Sequence, residues 1–342
     1  MKLNLQQIES ITLGAIRVTE EADGFHFYRF TREQEHLYVG RKADFDKKVP
    51  ATTGVQLSFR TDSQELYLKI HVKLGANRTY FALDIFVDDK KVDSIANFEN
   101  YEELSGMNYA TMEFSPGDFG KHISLGKGEK NVRIDLPWSM QTVIEEMHLT
   151  DGATVEPVKP GKKLLAFGDS VTQGYDALYP SNKYISRLAN YLGAEEYNKA
   201  VGGEVFFPEL AATKEPFTPD YIVVAYGTND WNLVKTKEQF LENCGGFFQN
   251  LTKNYPNTPV FAITPIWRED WEMERPTGMF HSVDGLIRDI AKNYENVTVV
   301  SGMDLIQHDV KCFADRRLHP NDEGFRQYFE NLKDALPKTL TK

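Results

Sequence analysis

The sequence predicts an α/β, doubly wound parallel-sheet domain preceded by an all-β, jelly-roll-like sandwich. Three observations predict it. Before about residue 155 the apolar residues alternate with a period of two, and beyond it they form short unbroken runs separated by helical patterns. Between the two lies Asp151 to Lys163, with two prolines, two glycines and little apolar content, which reads as a linker. The expected domains are residues 1–155 and 156–342.

In the first half, Val55, Leu57 and Phe59 alternate, then Leu66, Leu68, Ile70, Val72 and Leu74, as half-buried strands do. Phe81, Leu83, Ile85 and Val87 continue to the polar turn at Asp88-Asp89-Lys90-Lys91, after which Val92 resumes. Val132, Ile134 and Leu136 repeat the pattern until Pro137 ends it. Many short strands with no long helix suggest an antiparallel sandwich.

In the second half, Lys163 to Phe167, Tyr221 to Ala225, Val260 to Thr264 and Val297 to Val300 are nearly continuous apolar runs, the pattern of parallel strands covered on both faces. Helical patterns occupy Tyr184 to Leu192, Lys237 to Tyr255, Phe280 to Tyr294 and Glu323 to Leu336, and Glu196 to Ala200 reads as a fifth strand. Ligands bind such sheets beyond the carboxyl ends of the strands. Two tetrapeptides fall on that rim: Gly168-Asp169-Ser170 opens one, and Gly227-Thr228-Asn229-Asp230 is the other.

Composition narrows the partners. The 342 residues are 41% apolar and 26% charged, enough for substantial cores. With 50 acidic against 39 basic side chains and a net charge of −11, the chain lacks the basic footprint that nucleic acid needs. No stretch approaches the roughly 20 apolar residues that span a bilayer, so no membrane partner is expected. The start, MKLNLQQIESITLG, gives no readable secretion signal, and Cys244 and Cys312 read as buried thiols of a reducing compartment; a cytoplasmic location is the expectation.

A serine hydroxyl needs a base, usually histidine, to become a nucleophile. Ser170 follows a strand directly, and His319 in ADRRLHPNDEGF precedes the last helix, which Asn321 or Asp322 would cap. His281 and His308 read as surface residues. Acyl transfer also needs donors aimed at the developing oxyanion, and Gly202-Gly203 and Asn229 are suitable types. The α/β-hydrolase elbow Gly-x-Ser-x-Gly is absent, since Thr172 stands where its second glycine belongs. There is no His-Glu-x-x-His, cysteine cluster or phosphate-cradling loop, so no metal and no cofactor are expected.

FGDSVTQG, NKAVGG, YGTND and LHPN, in that order, resemble the four blocks of the SGNH (GDSL-type) hydrolase superfamily over about residues 160–337. The resemblance implies a flavodoxin-like sheet, Ser170 as nucleophile, His319 as base, and an oxyanion hole of the Ser170 and Gly203 N–H groups with the Asn229 amide. The family's acid stands three residues before the histidine, where this chain has Arg316. Asp315, one residue further back, is the substitute if the loop bulges; a backbone carbonyl holding the ring is the alternative. A sandwich ahead of such a domain is similar to carbohydrate esterase family 2, which implies deacetylation of acetylated oligosaccharides. A thioesterase or lysophospholipase on the same scaffold, and a decayed sugar-binding protein, are the other readings. Asp169, Trp231 and Trp267 are expected to contact substrate. Trp271, in REDWEMER, reads equally as part of a lid or as a contact in a homo-oligomer.

Overall fold

The computed structural model describes residues 1–99 and 109–337. The first half is a two-sheet antiparallel sandwich. One sheet has the order β1 (Thr12–Leu13), β4 (Gln56–Thr61), β9 (Lys130–Asp135), β6 (Ala82–Val87), β7 (Lys90–Ala96). The other has the order β2 (Arg17–Glu21), β3 (Gly24–Tyr28), β10 (Met140–Leu149), β5 (Glu65–Leu74), β8 (Gly117–Ser124). The chain changes sheet at nearly every connection, as in a jelly roll.

The period-two pattern sorts the faces. Leu66, Leu68, Ile70 and Val72 of β5 point between the sheets and meet Leu57, Phe59, Ile85 and Ile134 from the other side. Val92 does not join them: β7 is an edge strand, and only its Ile95 is buried. Within the expected linker, β11 (Glu156–Pro157) pairs with Arg60 and Phe59 of β4.

The second half holds a five-stranded parallel sheet in the order β13 (Ala194–Asn198), β12 (Lys162–Gly168), β14 (Tyr221–Ala225), β15 (Val260–Ile263), β16 (Val297–Val300). Counted within this sheet the order is 2-1-3-4-5, that of flavodoxin-like folds, and it reverses at β12. The unbroken apolar runs follow from double coverage. Leu164 and Ala166 pack with Ile185, Leu188 and Phe325 on one face; Leu165 and Phe167 pack with Phe240, Phe247 and Leu251 on the other. Helices Tyr184–Leu192 and Asp322–Ala335 cover the first face, and Lys237–Asn254 covers the second.

Strand β13 begins two residues earlier than its expected start at Glu196. Its acids look too polar for a buried strand, yet each has a partner. Glu196 takes Lys183 at 3.0 Å and Ser186 at 2.6 Å, and Glu195 takes the Gly14 N–H at 2.8 Å. Sandwich residues enter both cores of the second half: Tyr80 and Trp138 join one, Phe30 and Phe45 the other. No helix among the described residues is long and apolar enough to cross a membrane.

Candidate active site

Strand β12 ends at Gly168 and the chain turns at once into the one-turn helix Ser170–Gln173. A Cβ at Gly168 would lie 2.4 Å from Thr172 Oγ1, so the turn needs glycine there. Gly174, at φ 113°, closes the turn. Ser170 stands at its first helical position, where the backbone N–H has no partner inside the helix. Asp169 is the N-cap: its Oδ1 accepts the Val171 N–H at 3.0 Å. Burial pushes its carboxyl up to about 6, against the lowering effect of that N–H. Asp169 is buried, and its visible role is to shape the turn that presents Ser170.

The histidine loop is a closed bulge. Phe313 and Pro320 form a β-bridge, and the Ala314 N–H donates to the His319 carbonyl at 2.9 Å. The extra residue is accommodated by Arg316 at φ 57°, a left-handed position. This turn brings Asp315 round to the imidazole. Its Oδ1 accepts the N–H groups of Arg317, Leu318 and His319 at 3.0, 2.8 and 3.1 Å, and its Oδ2 accepts from His319 Nδ1 at 2.6 Å. Burial would raise the Asp315 carboxyl, but the His319 hydrogen bond and charge and the backbone donors outweigh it and hold it well below the usual carboxylate range. Because the carboxylate can only accept, Nδ1 carries the proton. Nε2 then faces Ser170 Oγ, 2.9 Å away, with its lone pair.

Three residues at this site are not legible as site residues in the sequence. Arg78, from the β5–β6 connection, donates to Asp176 Oδ1 and Oδ2 at 2.6 and 3.0 Å, and its guanidinium lies 3.4 Å from His319 Nδ1. Tyr80 donates its hydroxyl to Asp176 at 2.7 Å. Asp176, Asp315 and His319 bring their ligand-type atoms within 4.8 Å of one another, but Arg78 already lies on Asp176 where a metal cation would have to bind. Only the three-dimensional packing joins Arg78 to His319, 241 positions away.

The segments that carry the candidate oxyanion donors are tied to one another and to the Ser170 turn. The Gly202 N–H is spent on Gln173 Oε1 at 2.7 Å, whereas the Gly203 N–H has no acceptor among the described residues. Gly203 sits at φ 89°, a conformation that favours glycine. Asn229 donates one amide hydrogen to the Glu204 carbonyl at 3.0 Å, which fixes it beside the Gly203 loop with a second hydrogen to spare. Asp230 braces both segments, accepting the N–H groups of Phe206 at 3.0 Å and Gly227 at 3.1 Å.

The tryptophans are placed differently from expectation. Trp231 has no exposed surface: its indole N–H is held by the Gly278 carbonyl at 2.8 Å and it packs against Phe280. Trp267 is nearly buried, stacked on His308 and against Phe313, where it supports the histidine loop from below. Neither offers a face to a sugar. The segment bearing Trp271 is pinned to the histidine loop: Asp270 pairs with Arg317 at 2.6 Å and the Glu269 N–H meets the Arg317 carbonyl at 2.8 Å. Asn321, not Asp322, caps the last helix; Asp322 accepts the Leu178 N–H at 3.0 Å.

Residues 166–327 match the model of the GDSL-like Lipase/Acylhydrolase family. The α/β half of this chain belongs to that family. The protein is accordingly a GDSL-type, or SGNH, esterase. A comparison with curated protein sequences returns no match. Among solved structures, this GDSL-type esterase is similar to the salicylyl-acyltransferase SsfX3 from a tetracycline biosynthetic pathway, at 20% identity and a TM-score of 0.77, over 97% of this chain and 96% of that one. It is similar to a candidate GDSL-like lipase from Bacteroides ovatus, at 20% identity and 0.73, over 99% and 98%. It is also similar to the acetyl xylan esterase Est2A of the rumen bacterium Butyrivibrio proteoclasticus, at 14% identity and 0.62, over 99% and 98%. These likenesses extend through the sandwich, so the two-part architecture is shared.

Proposed function

We propose that this esterase removes O-acetyl groups from acetylated carbohydrates through an acetyl-enzyme on Ser170. The observation that carries the reading is the unbroken hydrogen-bond chain from Ser170 Oγ through His319 to Asp315, beside the Gly203 N–H, which has no acceptor among the described residues. Ser170 Oγ attacks the ester carbonyl carbon while His319 Nε2 takes its proton. The carbonyl oxygen becomes an oxyanion, held by the N–H groups of Ser170 and Gly203 and the free amide hydrogen of Asn229. Collapse of the tetrahedral intermediate breaks the bond to the alcohol, which leaves with the proton from His319. Water then attacks the acetyl carbonyl, with His319 again as base, and releases acetate. Asp315 keeps Nδ1 protonated and stabilises the imidazolium that forms at each step. The carbohydrate part rests on the architecture shared with the acetyl xylan esterase over 99% of this chain.

Hydrolysis of p-nitrophenyl acetate, p-nitrophenyl octanoate and acetylated xylo-oligosaccharides by wild type, Ser170→Ala and Asp315→Asn tests this. The expected result is turnover of the acetate and the oligosaccharides but little of the octanoate, no activity in Ser170→Ala, and a kcat about 10²–10⁴-fold lower in Asp315→Asn. An equally active Ser170→Ala rejects the serine mechanism. Equal rates on acetate and octanoate reject the acetyl preference.

A further inference from the structure

The sandwich half sends a second group of cations to the catalytic rim, away from His319. Lys48 ends the short helix Phe45–Lys48, and its Nζ donates to the Gly202 carbonyl at 2.8 Å. Lys42 Nζ donates to the next carbonyl, that of Gly203, also at 2.8 Å. Lys42 is exposed, but Lys48 is only 4% exposed and is balanced by an ion pair with Asp44. A Cβ at Gly203 would lie 3.8 Å from each ammonium, so both charges stand close behind this glycine.

The Gly202 carbonyl and the Gly203 N–H belong to one peptide group, whose resonance couples them. A cation on the oxygen draws electron density from the nitrogen and makes the N–H more acidic. Hydrogen bonds along such a chain strengthen one another in a low-dielectric setting. The same glycine loop is fixed from the nucleophile's side. Gln173 accepts the Gly202 N–H, donates to the Trp138 carbonyl at 3.1 Å, and is itself held at its own carbonyl by Thr53 at 2.6 Å.

We propose that Lys48 is a positioning residue of the oxyanion hole, polarising the Gly202–Gly203 peptide so that the Gly203 N–H becomes a stronger donor to the tetrahedral oxygen. This rests on the esterase reading above. Lys48 touches no reacting atom, and its contribution appears only when negative charge develops on the substrate. The sandwich half thereby supplies part of the electrostatics of catalysis from 154 positions before the glycine it acts on.

The test uses the full chain and the variants Lys48→Met, Lys48→Gln, Lys48→Arg, Lys47→Met and Ser170→Ala. Each is assayed for kcat and KM on p-nitrophenyl acetate and for inhibition by phenylboronic acid, which bonds Ser170 Oγ to give a tetrahedral boronate anion. Thermal midpoints report folding. Losing an oxyanion donor outright costs about 10²–10³ in kcat, so weakening one is expected to lower kcat about tenfold in Lys48→Met and Lys48→Gln. KM should stay within about twofold, the boronate inhibition constant should rise by the factor lost in kcat, and Lys48→Arg should keep most of the rate. Lys47→Met, which removes an equal charge from the exposed neighbour, should match wild type. If Lys48→Met does not fold, Lys48→Gln carries the comparison. The inference is overturned if kcat of the folded variants stays within twofold of wild type, or if kcat falls while boronate inhibition is unchanged, the signature of a merely structural lysine. A dead Ser170→Ala beside a fully active Lys48→Met overturns this inference alone, whereas an active Ser170→Ala overturns the esterase reading and this inference with it.

Discussion

Asp176 Oδ2 lies 3.8 Å from His319 Nδ1, close enough to compete with Asp315 for the imidazole, yet Asp176 is fully buried. Arg78 prevents that competition. Its two hydrogen bonds neutralise Asp176, and the Tyr80 hydroxyl takes a further share of the same carboxylate. Removing one partner of a buried ion pair costs ~3–5 kcal/mol because the other charge is left uncompensated. Arg78→Met is therefore expected to lower both stability and kcat. Asp176→Asn in the same chain should return most of each, because the neutral amide no longer needs a cation. A double-mutant cycle in urea denaturation and p-nitrophenyl acetate turnover checks this, with a coupling of at least ~1 kcal/mol expected. Additive losses would show that Arg78 and Asp176 act independently. Asp315 was within reach of sequence reasoning because it stands beside the Arg316 that displaces the usual acid. Arg78 was not, since nothing near it in the chain marks an arginine that must neutralise a distant carboxylate.

The short helix Thr228–Leu233 carries Asn229 into place, and the residue that fixes it is Asp230 rather than the asparagine. Asp230 is fully buried and accepts two backbone N–H groups, one from Phe206 beyond the glycine loop and one from Gly227 at its own helix start. Burial pushes its carboxyl up to about 7, with the N–H donors opposing that rise. A carboxyl that holds its proton more tightly when folded adds stability at low pH. That stability is complete below the ordinary carboxylate range near 4 and is lost as pH rises through about 7. Wild type minus Asp230→Asn, followed in urea at each pH from 4 to 8, should fall with rising pH by up to ~4 kcal/mol. A flat difference would mean that Asp230 titrates near its ordinary value. Elements of this kind mark the limit of local pattern. Strands Tyr221–Ala225 and Val297–Val300 and helix Tyr184–Leu192 were readable to the residue because hydrophobic coverage sets their ends. The start of β13 was not, because the partners of Glu195 and Glu196 lie on other elements. The tryptophans misled for a related reason: an aromatic residue beside a catalytic turn reads as a ligand platform until its burial is known.

The two halves are joined by polar contacts too buried to exchange for water. Arg29 of the sandwich, 2% exposed, donates to the carbonyls of Asn198 and Ala200 across the junction, at 2.5 and 3.3 Å, and to Ala51 and Val49 within its own half. It has no carboxylate partner among these contacts, and burial pulls its pKa down to about 9. Beside it, Lys199 donates to the Arg29 carbonyl and pairs with Glu215 at 2.9 Å, while Gln34 bridges to Thr213 and Glu215. Trp138 fastens the other end through its indole N–H to the Ala177 carbonyl at 2.7 Å. Halves built this way should unfold as one unit, although their sheets share no strand. Trp138 reports from the junction and Trp231, Trp267 and Trp271 from the α/β half, while far-UV circular dichroism also reads the sandwich strands, so intrinsic fluorescence and circular dichroism should give coincident urea transitions. Arg29→Met leaves several buried carbonyls without a donor, and at ~1–3 kcal/mol for each group the combined loss should be at least ~3 kcal/mol. It should move both transitions together. Two separated transitions, with only one moved by Arg29→Met, would mean that the halves fold independently. The catalytic rim would then be held by Arg78 and Lys48 only while the sandwich happened to be docked, and activity in urea would be lost before the α/β half melted.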